Sequence, residues 1–358
     1  MRIVYIIASS TWGGGEQYVF DLARHLKEEE GVCPYFLFPP DSDGTMIERF
    51  EKVGECKVFA YATKKWRFVP YAGRQLAAIL DAWKADILHI NSRQAYFQAV
   101  WAKRCARRPF RLIATQHLVR QAKNGCLWRW IYRQIDTLVC VSQCICQEYL
   151  RPLKKGVFSD VRVVHHSVPI SEEDVRRRKE QPTTKMLFHG RICREKGIEP
   201  LFKALDLLAD LPFRMVFAGN IDKRDQALWD ALYASSKVRD RIEHVGFCQD
   251  MHGLLGECQI GISPSIVREA GPLVMFEQMA FGMAVVTSDN GSQPEIIQHE
   301  VNGLLCPPNS PQALADMLRR LLTDGALRER LGKQAQHDFF TLHTYKQFLS
   351  EMYNLYCS

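Results

Sequence analysis

Two glutamates, Glu269 and Glu277, lie in one of the more apolar stretches of the chain, REAGPLVMFEQMAFGMAVVTSDNGSQPEII. A carboxylate beside Leu, Val, Met and Phe loses hydration, which is costly unless a partner compensates its charge. An α-helix turns about 100° per residue, so eight positions leave these side chains about 80° apart. One helix face therefore does not hold both. We place Glu269 in a loop and Glu277 in the second turn of a helix.

The local sequence also indicates where this helix starts and what its start binds. Pro272 suits the first helical position and Gly282 the end, which predicts a helix from about Leu273 to Phe281. The first backbone N–H groups and the helix dipole favour an anion such as phosphate. Carboxylates repel phosphate but accept hydrogen bonds from sugar diols, so a nucleoside diphosphate sugar satisfies both demands. The predicted donor-binding residues of this stretch are Glu269, Gly271, Pro272, Leu273, Val274 and Glu277.

The elements that must position these groups form two similar halves. In the first half, helical patterns alternate with apolar strands, RIVYIIA, PYFLFP, DILHINS, FRLIATQH and DTLVCVSQ. A polar stretch at 167–185 looks like a linker, and the alternation then restarts with MLFHG. This pattern predicts an α/β chain of two Rossmann-like, doubly wound domains that face a central cleft. We expect domains at 1–170 and 171–337, and a terminal helix within 338–358 that packs back on the first domain.

Here the sequence resembles a known family. The glutamate stretch resembles the Glu-x7-Glu segment of retaining glycosyltransferase family 4, whose members have the two-domain GT-B fold. Three other segments match that family in the same order: SSTWGGGEQYVFDLARHL, LIATQH and LFHGRICREKGIEPLFKAL. They are similar to its glycine-rich first loop and helix, its strand ending in histidine, and its Gly-Arg…Glu-Lys-Gly segment. The resemblance covers nearly the whole chain.

The resemblance implies roles for four charged side chains. Arg191 and Lys196 would be the cations on the donor diphosphate, where they offset the charge that builds on the leaving nucleotide. Glu277 would hold the ribose hydroxyls and Glu269 the hydroxyls of the donor sugar. The alternatives are a solvated charged loop at Arg191 and Lys196, a surface acid at Glu277, and an ion pair of Glu269 with Arg268.

Further roles follow for residues of the first domain. Gly14 and Gly15 would let the backbone approach the diphosphate, although a tight turn alone also explains them. His117, at the end of a strand, would lie near the transferred sugar, and a core or capping histidine is the alternative. The resemblance thus makes His117, Arg191, Lys196 and Glu269 the catalytic candidates. Glu295 matches a recurrent family glutamate, but Gly291-Ser292 departs from the usual pair of glycines, which weakens any expectation of backbone contact there.

No metal or cofactor is expected. Asp41 and Asp43 in PPDSDG form an Asp-x-Asp pair, yet flanking proline and glycine favour a solvated turn. The chain has no G-x-G-x-x-G motif, which argues against a dinucleotide dehydrogenase. The 12 cysteines lack a zinc-type spacing and are interpreted as reduced thiols. The resemblance implies metal-independent transfer with retention at the anomeric carbon.

Charge is divided unevenly between the halves. Residues 1–170 hold 25 Lys and Arg and 15 Asp and Glu, whereas residues 171–358 hold 22 Lys and Arg and 25 Asp and Glu. The formal net charge is therefore +10 for the first half and −3 for the second. The basic segments ATKKWRFVPYAGR, WAKRCARRPFR and VRQAKNGCLWRWIYR also carry aromatic residues, a mixture that suits an anionic membrane interface. Ordinary solvated helices are the alternative. Nucleic acid is not expected as a partner, because the second half lends it no support.

These observations predict an enzyme that uses a nucleotide sugar, with UDP-sugars favoured, and an anionic glycan or glycolipid acceptor such as lipopolysaccharide core. Without an apparent signal peptide or membrane span, we expect a cytoplasmic protein, peripheral on the inner face of a bacterial inner membrane. Three alternatives stay open. They are a transferase for capsule, exopolysaccharide or a small acceptor, a non-catalytic sugar-nucleotide-binding protein, and a sugar-nucleotide epimerase of similar architecture.

Overall fold

The computed structural model describes residues 1–7, 9–60, 69–175 and 183–358. The chain divides into two compact units. Unit 1 comprises Met1–His166 and Phe348–Ser358, and unit 2 comprises Ser167–Gln347. Part of one basic segment from the sequence analysis, residues 62–68, lies outside the described residues, as do residues 176–182 of the predicted linker.

Unit 1 is built on a seven-stranded sheet in the order β3-β2-β1-β4-β5-β6-β7, in which all neighbouring strands pair in parallel. Its strands are β1 (Arg2–Ile6), β2 (Cys33–Phe38), β3 (Glu55–Val58), β4 (Ile87–Ile90), β5 (Arg111–Gln116), β6 (Thr137–Cys140) and β7 (Val161–Val163). Consecutive residues of the central strands are buried, as expected where both faces of a parallel sheet are covered. The sequence analysis missed β3 and β7, because one is largely exposed and the other has only three residues.

In the described part of unit 1, six helices connect these strands: α1 (Gly14–Glu30), α2 (Gly44–Glu51), α3 (Val69–Trp83), α4 (Tyr96–Cys105), α5 (Cys126–Tyr132) and α6 (Gln143–Leu150). The predicted face of α1 is confirmed, since Tyr18, Val19, Leu22, Ala23 and Leu26 are buried. Asp43 precedes α2 as its N-cap, and its Oδ1 accepts hydrogen bonds from the backbone N–H and the hydroxyl of Thr45. This local capping role accounts for the aspartate of PPDSDG.

Unit 2 contains a six-stranded parallel sheet in the order β10-β9-β8-β11-β12-β13. Its strands are β8 (Lys185–His189), β9 (Arg214–Ala218), β10 (Ile242–Gly246), β11 (Ile260–Ser263), β12 (Ala284–Ser288) and β13 (Gly303–Cys306). Its helices are α7 (Glu172–Val175), α8 (Ile198–Asp206), α9 (Gln226–Ser235), α10 (Met251–Glu257), α11 (Leu273–Ala280), α12 (Pro311–Thr323) and α13 (Gly325–Leu342). The sequence analysis did not identify β13.

The predicted linker is wrong at its start. Val168 and Ile170 are buried in a core of unit 2 that includes Leu187 and Phe276. Their apolar side chains alternate within SVPIS and pack inward, although the surrounding residues are polar. The remainder contains α7, whose four residues are all acidic or β-branched.

The last helix, α14 (Tyr345–Cys357), follows α13, and most of it belongs to unit 1. The hydroxyl of Tyr356 lies 2.7 Å from Nδ1 of His89 in β4. Arg111 of β5 donates hydrogen bonds to the carbonyl oxygens of Leu355 and Tyr356, at 3.1 and 2.9 Å. The C-terminal segment is thus fixed by buried polar contacts to the central strands. Within the described residues, no helix is both long enough and apolar enough to cross a bilayer.

Candidate functional site

Helix α11 places Glu277 in its second turn, as expected. Pro272 is the N-cap in extended backbone (φ −73°, ψ 103°), not the first helical residue, and the helix ends at Ala280, one residue earlier than predicted. The N–H of Met275 already bonds to the carbonyl of Pro272, at 3.0 Å. The N–H groups of Leu273 and Val274 have no such intrahelical acceptor, since a helix leaves its first donors free. The start of α11 therefore offers two backbone donors to an anion.

Glu269 and Lys196 form an ion pair. Nζ of Lys196 donates to Oε1 of Glu269 at 2.8 Å, and the hydroxyl of Ser265 lies 2.7 Å from the same oxygen. The Glu269 side chain is only 15% exposed and that of Lys196 30%, so the pair is partly shielded from water. The alternative pairing of Glu269 with Arg268 is unnecessary to account for the position of this carboxylate.

Two close backbone approaches fix the loops that carry this pair. Gly197, with φ 80°, follows Lys196, and a Cβ there would lie 2.0 Å from the carbonyl oxygen of Pro264. Gly291, with φ 65°, lies against Glu269, where a Cβ would come within 2.5 Å of the backbone nitrogen. The N–H of Ser292 also donates to the carbonyl of Glu269 at 3.0 Å. This segment therefore holds the Glu269 loop, a structural role that the sequence did not predict.

Arg191 lies just after β8 and faces other acids. Its guanidinium is 3.2 Å from Asp222 and 3.6 Å from Glu195, and its side chain is 53% exposed. Asp222 is also held by Arg224, and these hydrogen bonds keep the pKa of its carboxyl well below the usual range. Within the described chain, Arg191 therefore belongs to a separate charge network from that of Lys196 and Glu269.

Glu277 has a partner that the sequence analysis missed. Nε2 of His189, the last residue of β8, lies 2.7 Å from Oε2 of Glu277. The imidazole is almost completely buried, with 3% of its side chain exposed, whereas 29% of the Glu277 side chain is exposed. A polar residue that ends an apolar strand just before Gly-Arg is the signal that could have revealed it.

In unit 1, Gly14 and Gly15 are the first residues of α1, and a Cβ at either would meet no atom within 4 Å. Neither has a left-handed φ, so neither conformation nor internal packing requires glycine here. Close by in the chain, Glu16 is buried, and burial raises the pKa of its carboxyl, although backbone N–H groups of Ser9 and Gly13 oppose the shift. The predicted approach of this backbone to the diphosphate stays a prediction.

His117 directly follows β5, as predicted. Its Nε2 lies 3.0 Å from Oδ1 of Asn91, which follows the neighbouring strand β4, while Nδ1 has no partner in the described residues. Burial, reinforced by the charge of Arg120, lowers the pKa of His117 to about 4. The neutral ring donates through Nε2 to the Asn91 oxygen, which leaves Nδ1 as an acceptor. Nδ1 is itself enclosed by protein atoms, so the predicted role of His117 near the transferred sugar stays a prediction.

Unit 1 also brings two guanidinium groups together at the carboxyl ends of β4 and β5. Arg93 and Arg120 repel each other, and burial together with Arg93 lowers the pKa of Arg120. Neither forms an ion pair with a carboxylate of the described chain; Arg93 bonds to the Gln121 carbonyl at 3.4 Å. Beside Arg120 lie three buried tyrosine side chains, Tyr96, Tyr132 and Tyr149, whose hydroxyls interact with one another. We call this group the arginine cluster.

No group of three or more His, Cys, Asp or Glu in the described ranges could hold a metal ion. No disulfide joins any of the twelve cysteines, all of which lie in the described ranges. Three of these thiols, those of Cys56, Cys258 and Cys306, are kept protonated because burial raises their pKa.

Comparison with known proteins gives matches along nearly the whole chain. A model of glycosyl transferases group 1 matches residues 170–338, and one of glycosyltransferase family 4 matches residues 12–172. The uncharacterised glycosyltransferase MJ1607 of Methanocaldococcus jannaschii is 28% identical over 303 residues, which cover 78% of this chain and 76% of that protein.

Two solved structures share the fold. Alr3699/HepE from Anabaena, solved in complex with UDP, has a TM-score of 0.82 at 18% identity and 99% coverage of both chains. The lipopolysaccharide outer core galactosyltransferase WaaB, in its apo form, has a TM-score of 0.75 at 17% identity, again with 99% coverage of both. The chain is a glycosyltransferase of the GT-B type. The predicted fold class is therefore confirmed.

For this GT-B glycosyltransferase, the structure brings together some predicted residues and separates others. Lys196 and Glu269 are in direct contact, and Glu269 lies four residues before the α11 N-terminus. Arg191 and Glu277 instead have partners of their own, Asp222 and His189. The arginine cluster was not predicted as a site, although Arg120 lies in the basic segment VRQAKNGCLWRWIYR.

Proposed function

We propose that this glycosyltransferase moves a hexose or N-acetylhexosamine from a nucleotide sugar, most simply a UDP-sugar, to its acceptor with retention of configuration. The observation that carries the proposal is the Lys196–Glu269 pair just before the α11 N-terminus, with Glu277 in the same helix. These groups supply a cation, free backbone donors and two carboxylates, which match a diphosphate and its flanking diols. The fold shared with a protein solved with UDP supports the choice of nucleotide.

Each residue then has a defined task. Lys196 carries three N–H donors and gives one to Glu269, so two remain for phosphate oxygens. Arg191 supplies a second cation for the charge that develops on the leaving diphosphate. Glu269 would bind hydroxyls of the donor sugar, and Glu277 those of the ribose. Gly14, Gly15 and His117 would contribute from unit 1.

The donor test is a thermal-shift screen against UDP-, GDP- and ADP-sugars. We expect one nucleotide class to raise the melting temperature in a concentration-dependent way. Proton NMR of the product would then report the anomeric configuration, and an inverted product would contradict retention. Turnover that persists in EDTA would support metal independence, whereas loss on chelation and recovery with Mn²⁺ would refute it.

For the acceptor we propose an anionic, lipid-linked glycan, with lipopolysaccharide core as the leading case. The arginine cluster supports an anionic group, because two guanidiniums without carboxylate partners attract phosphate. The fold shared with WaaB is compatible with this choice. Assays with phosphorylated and dephosphorylated acceptors separate it from neutral capsule, exopolysaccharide or small-molecule acceptors. Equal turnover of both forms would refute the anionic acceptor.

We further propose that helix α5 lies at the inner membrane surface. Leu127 is exposed, Trp128 and Trp130 are partly exposed, and Lys123 and Arg104 stack on these two indoles at 5.1 and 4.9 Å. Tryptophan beside cations suits the headgroup region of an anionic bilayer. In vesicle sedimentation we expect preference for anionic over neutral lipid. Equal binding to both would remove the membrane part of the proposal.

A further inference from the structure

His189 connects the end of strand β8 to the helix that carries Glu277. We propose that His189 is a positioning residue, which orients the Glu277 carboxylate toward the ribose diol and so makes the donor site selective for ribonucleotides. This inference rests on the proposed function, because it assigns the donor's ribose to Glu277. His189 itself is not among the residues to which the sequence analysis assigned a role.

The two nitrogen atoms of His189 have different partners. Nδ1 lies 3.4 Å from Nε2 of Gln278, and His189 Nε2 lies 2.7 Å from Oε2 of Glu277. A carboxylate oxygen only accepts, so the proton sits on Nε2, and Nδ1 is left to accept from the Gln278 amide. The imidazole therefore donates to the carboxylate, and the Gln278 amide supports the tautomer that does so. Both partners are consecutive residues of α11.

Packing holds the side chains of Gln278 and His189 in place. Gln278 is fully buried, and a Cβ at position 261 of β11 would lie 2.5 Å from its amide carbon. Gly261 therefore provides the space that the Gln278 amide occupies, which is a recognised use of glycine within a strand. With Gln278 and His189 both enclosed, the donor to Glu277 has essentially one orientation.

The hydrogen bond from His189 offsets part of the free-energy cost of placing the Glu277 carboxylate among apolar residues. One oxygen of Glu277 accepts a charge-assisted hydrogen bond from His189, and such bonds are about twice as strong as neutral ones. The remaining oxygen and its lone pairs are left for other donors, and part of the side chain stays accessible. A 2′,3′-diol presents two adjacent O–H groups, which a fixed carboxylate binds with less loss of conformational entropy than a mobile one.

The test compares binding of UDP and 2′,3′-dideoxy-UDP by isothermal titration calorimetry. We expect wild-type protein to bind UDP at least tenfold more tightly. His189→Phe, which keeps a ring but removes the donor, should weaken UDP binding about tenfold and dideoxy-UDP binding less than twofold. His189→Gln, which keeps an N–H donor, should restore part of the preference. His337→Phe, at an exposed position of α13, is the matched control and should change neither affinity.

The outcomes distinguish this inference from the proposed function. If wild-type protein discriminates between the ligands and His189→Phe discriminates equally well, the positioning role is overturned while the donor assignment stands. If wild-type protein binds both ligands equally, the assignment of Glu277 to the ribose fails, and this inference fails with it. An equal loss of both affinities in His189→Phe indicates a structural defect and also overturns the positioning role.

Discussion

The cations of the candidate site in unit 2 and those of the arginine cluster in unit 1 have opposite surroundings. In unit 2, Lys196 lies 2.8 Å from the carboxylate of Glu269, and Arg191 has two acidic neighbours. In unit 1, Arg93 and Arg120 lie close enough to repel each other, and neither has a carboxylate partner in the described chain. Unit 2 balances its own charge, whereas the arginine cluster does not.

This difference indicates where an anion contributes most to stability. A cation already paired with an acid is held in place before a ligand arrives, which reduces the reorganisation needed during catalysis. Two unpaired and partly buried guanidiniums raise the free energy of the folded state until an anion approaches. The first arrangement suits a reaction centre, and the second suits selective capture of an anionic acceptor.

The largest expected effect is on turnover. Lys196→Met removes the cation that we assign to the leaving diphosphate, and losing such a contact costs about 10²–10³-fold in kcat. Lys203→Met is the matched control, because Lys203 forms an exposed ion pair with Glu199 on the surface of α8. Steady-state kinetics with the donor identified by screening would measure both. Similar kcat values for the two variants would refute the role of Lys196.

Acidification should destabilise unit 1 through its buried histidines. Burial lowers the pKa of His117 to about 4 and that of His89 to about 3, so the folded state excludes protons that the unfolded chain binds below about pH 6.5. Their stabilising contribution is therefore complete above about pH 6.5 and is lost as the pH falls toward 4. Between its folded and unfolded pKa values, each histidine changes the free energy of unfolding by about 1.4 kcal/mol per pH unit.

Urea unfolding from pH 7 to 4 would measure this slope in the wild type and in His117→Gln. Glu16 and Asp21, whose pKa values burial raises, act in the opposite direction, so the difference between the two proteins is the informative quantity. We expect the variant to lose less stability over this range. Parallel profiles would contradict the neutral state of His117.

The glycines of the two units should differ in their tolerance of alanine. Gly291→Ala forces a Cβ against the backbone of Glu269 at a left-handed φ, which we expect to cost about 1–3 kcal/mol of unfolding free energy. Gly14→Ala places its methyl group in open space at the start of α1, with an expected change below about 0.5 kcal/mol. Denaturant titration would measure the unfolding free energy of both variants. An equal loss in Gly291→Ala and Gly14→Ala would contradict this prediction.

Removing one cation from each unit should change stability in opposite directions. Lys196→Met leaves Glu269 partly buried and unpaired, which should lower stability by about 1–2 kcal/mol. Arg120→Met relieves repulsion within the arginine cluster and should raise stability by about 0.5–1 kcal/mol while weakening acceptor binding. The melting temperatures of both variants would show whether each substitution raises or lowers the stability of the protein. A destabilised Arg120→Met protein would contradict the account of the arginine cluster.

The features that the sequence predicted correctly are those that depend on local sequence pattern. Apolar strands gave the two α/β units, and the eight-residue spacing placed Glu269 in a loop and Glu277 in the second turn of α11. It did not predict which charges meet, because the pairing of Arg191 with Asp222 joins residues 31 positions apart. His189 was missed for the same reason, since Glu277 lies 88 positions away. Val168 and Ile170 lie in the predicted linker because their neighbours are polar, although tertiary packing buries them.

The most direct test of the central claim measures cleavage of nucleotide sugars by mass spectrometry. Wild-type protein and the Lys196→Met, Glu269→Gln and Lys203→Met variants would each be incubated with UDP-, GDP- and ADP-sugars. The account predicts that wild type and Lys203→Met release nucleoside diphosphate from one donor class, while Lys196→Met and Glu269→Gln lose at least about 99% of this activity. Cleavage of no donor by the wild type, or full activity in the Lys196→Met variant, would contradict it.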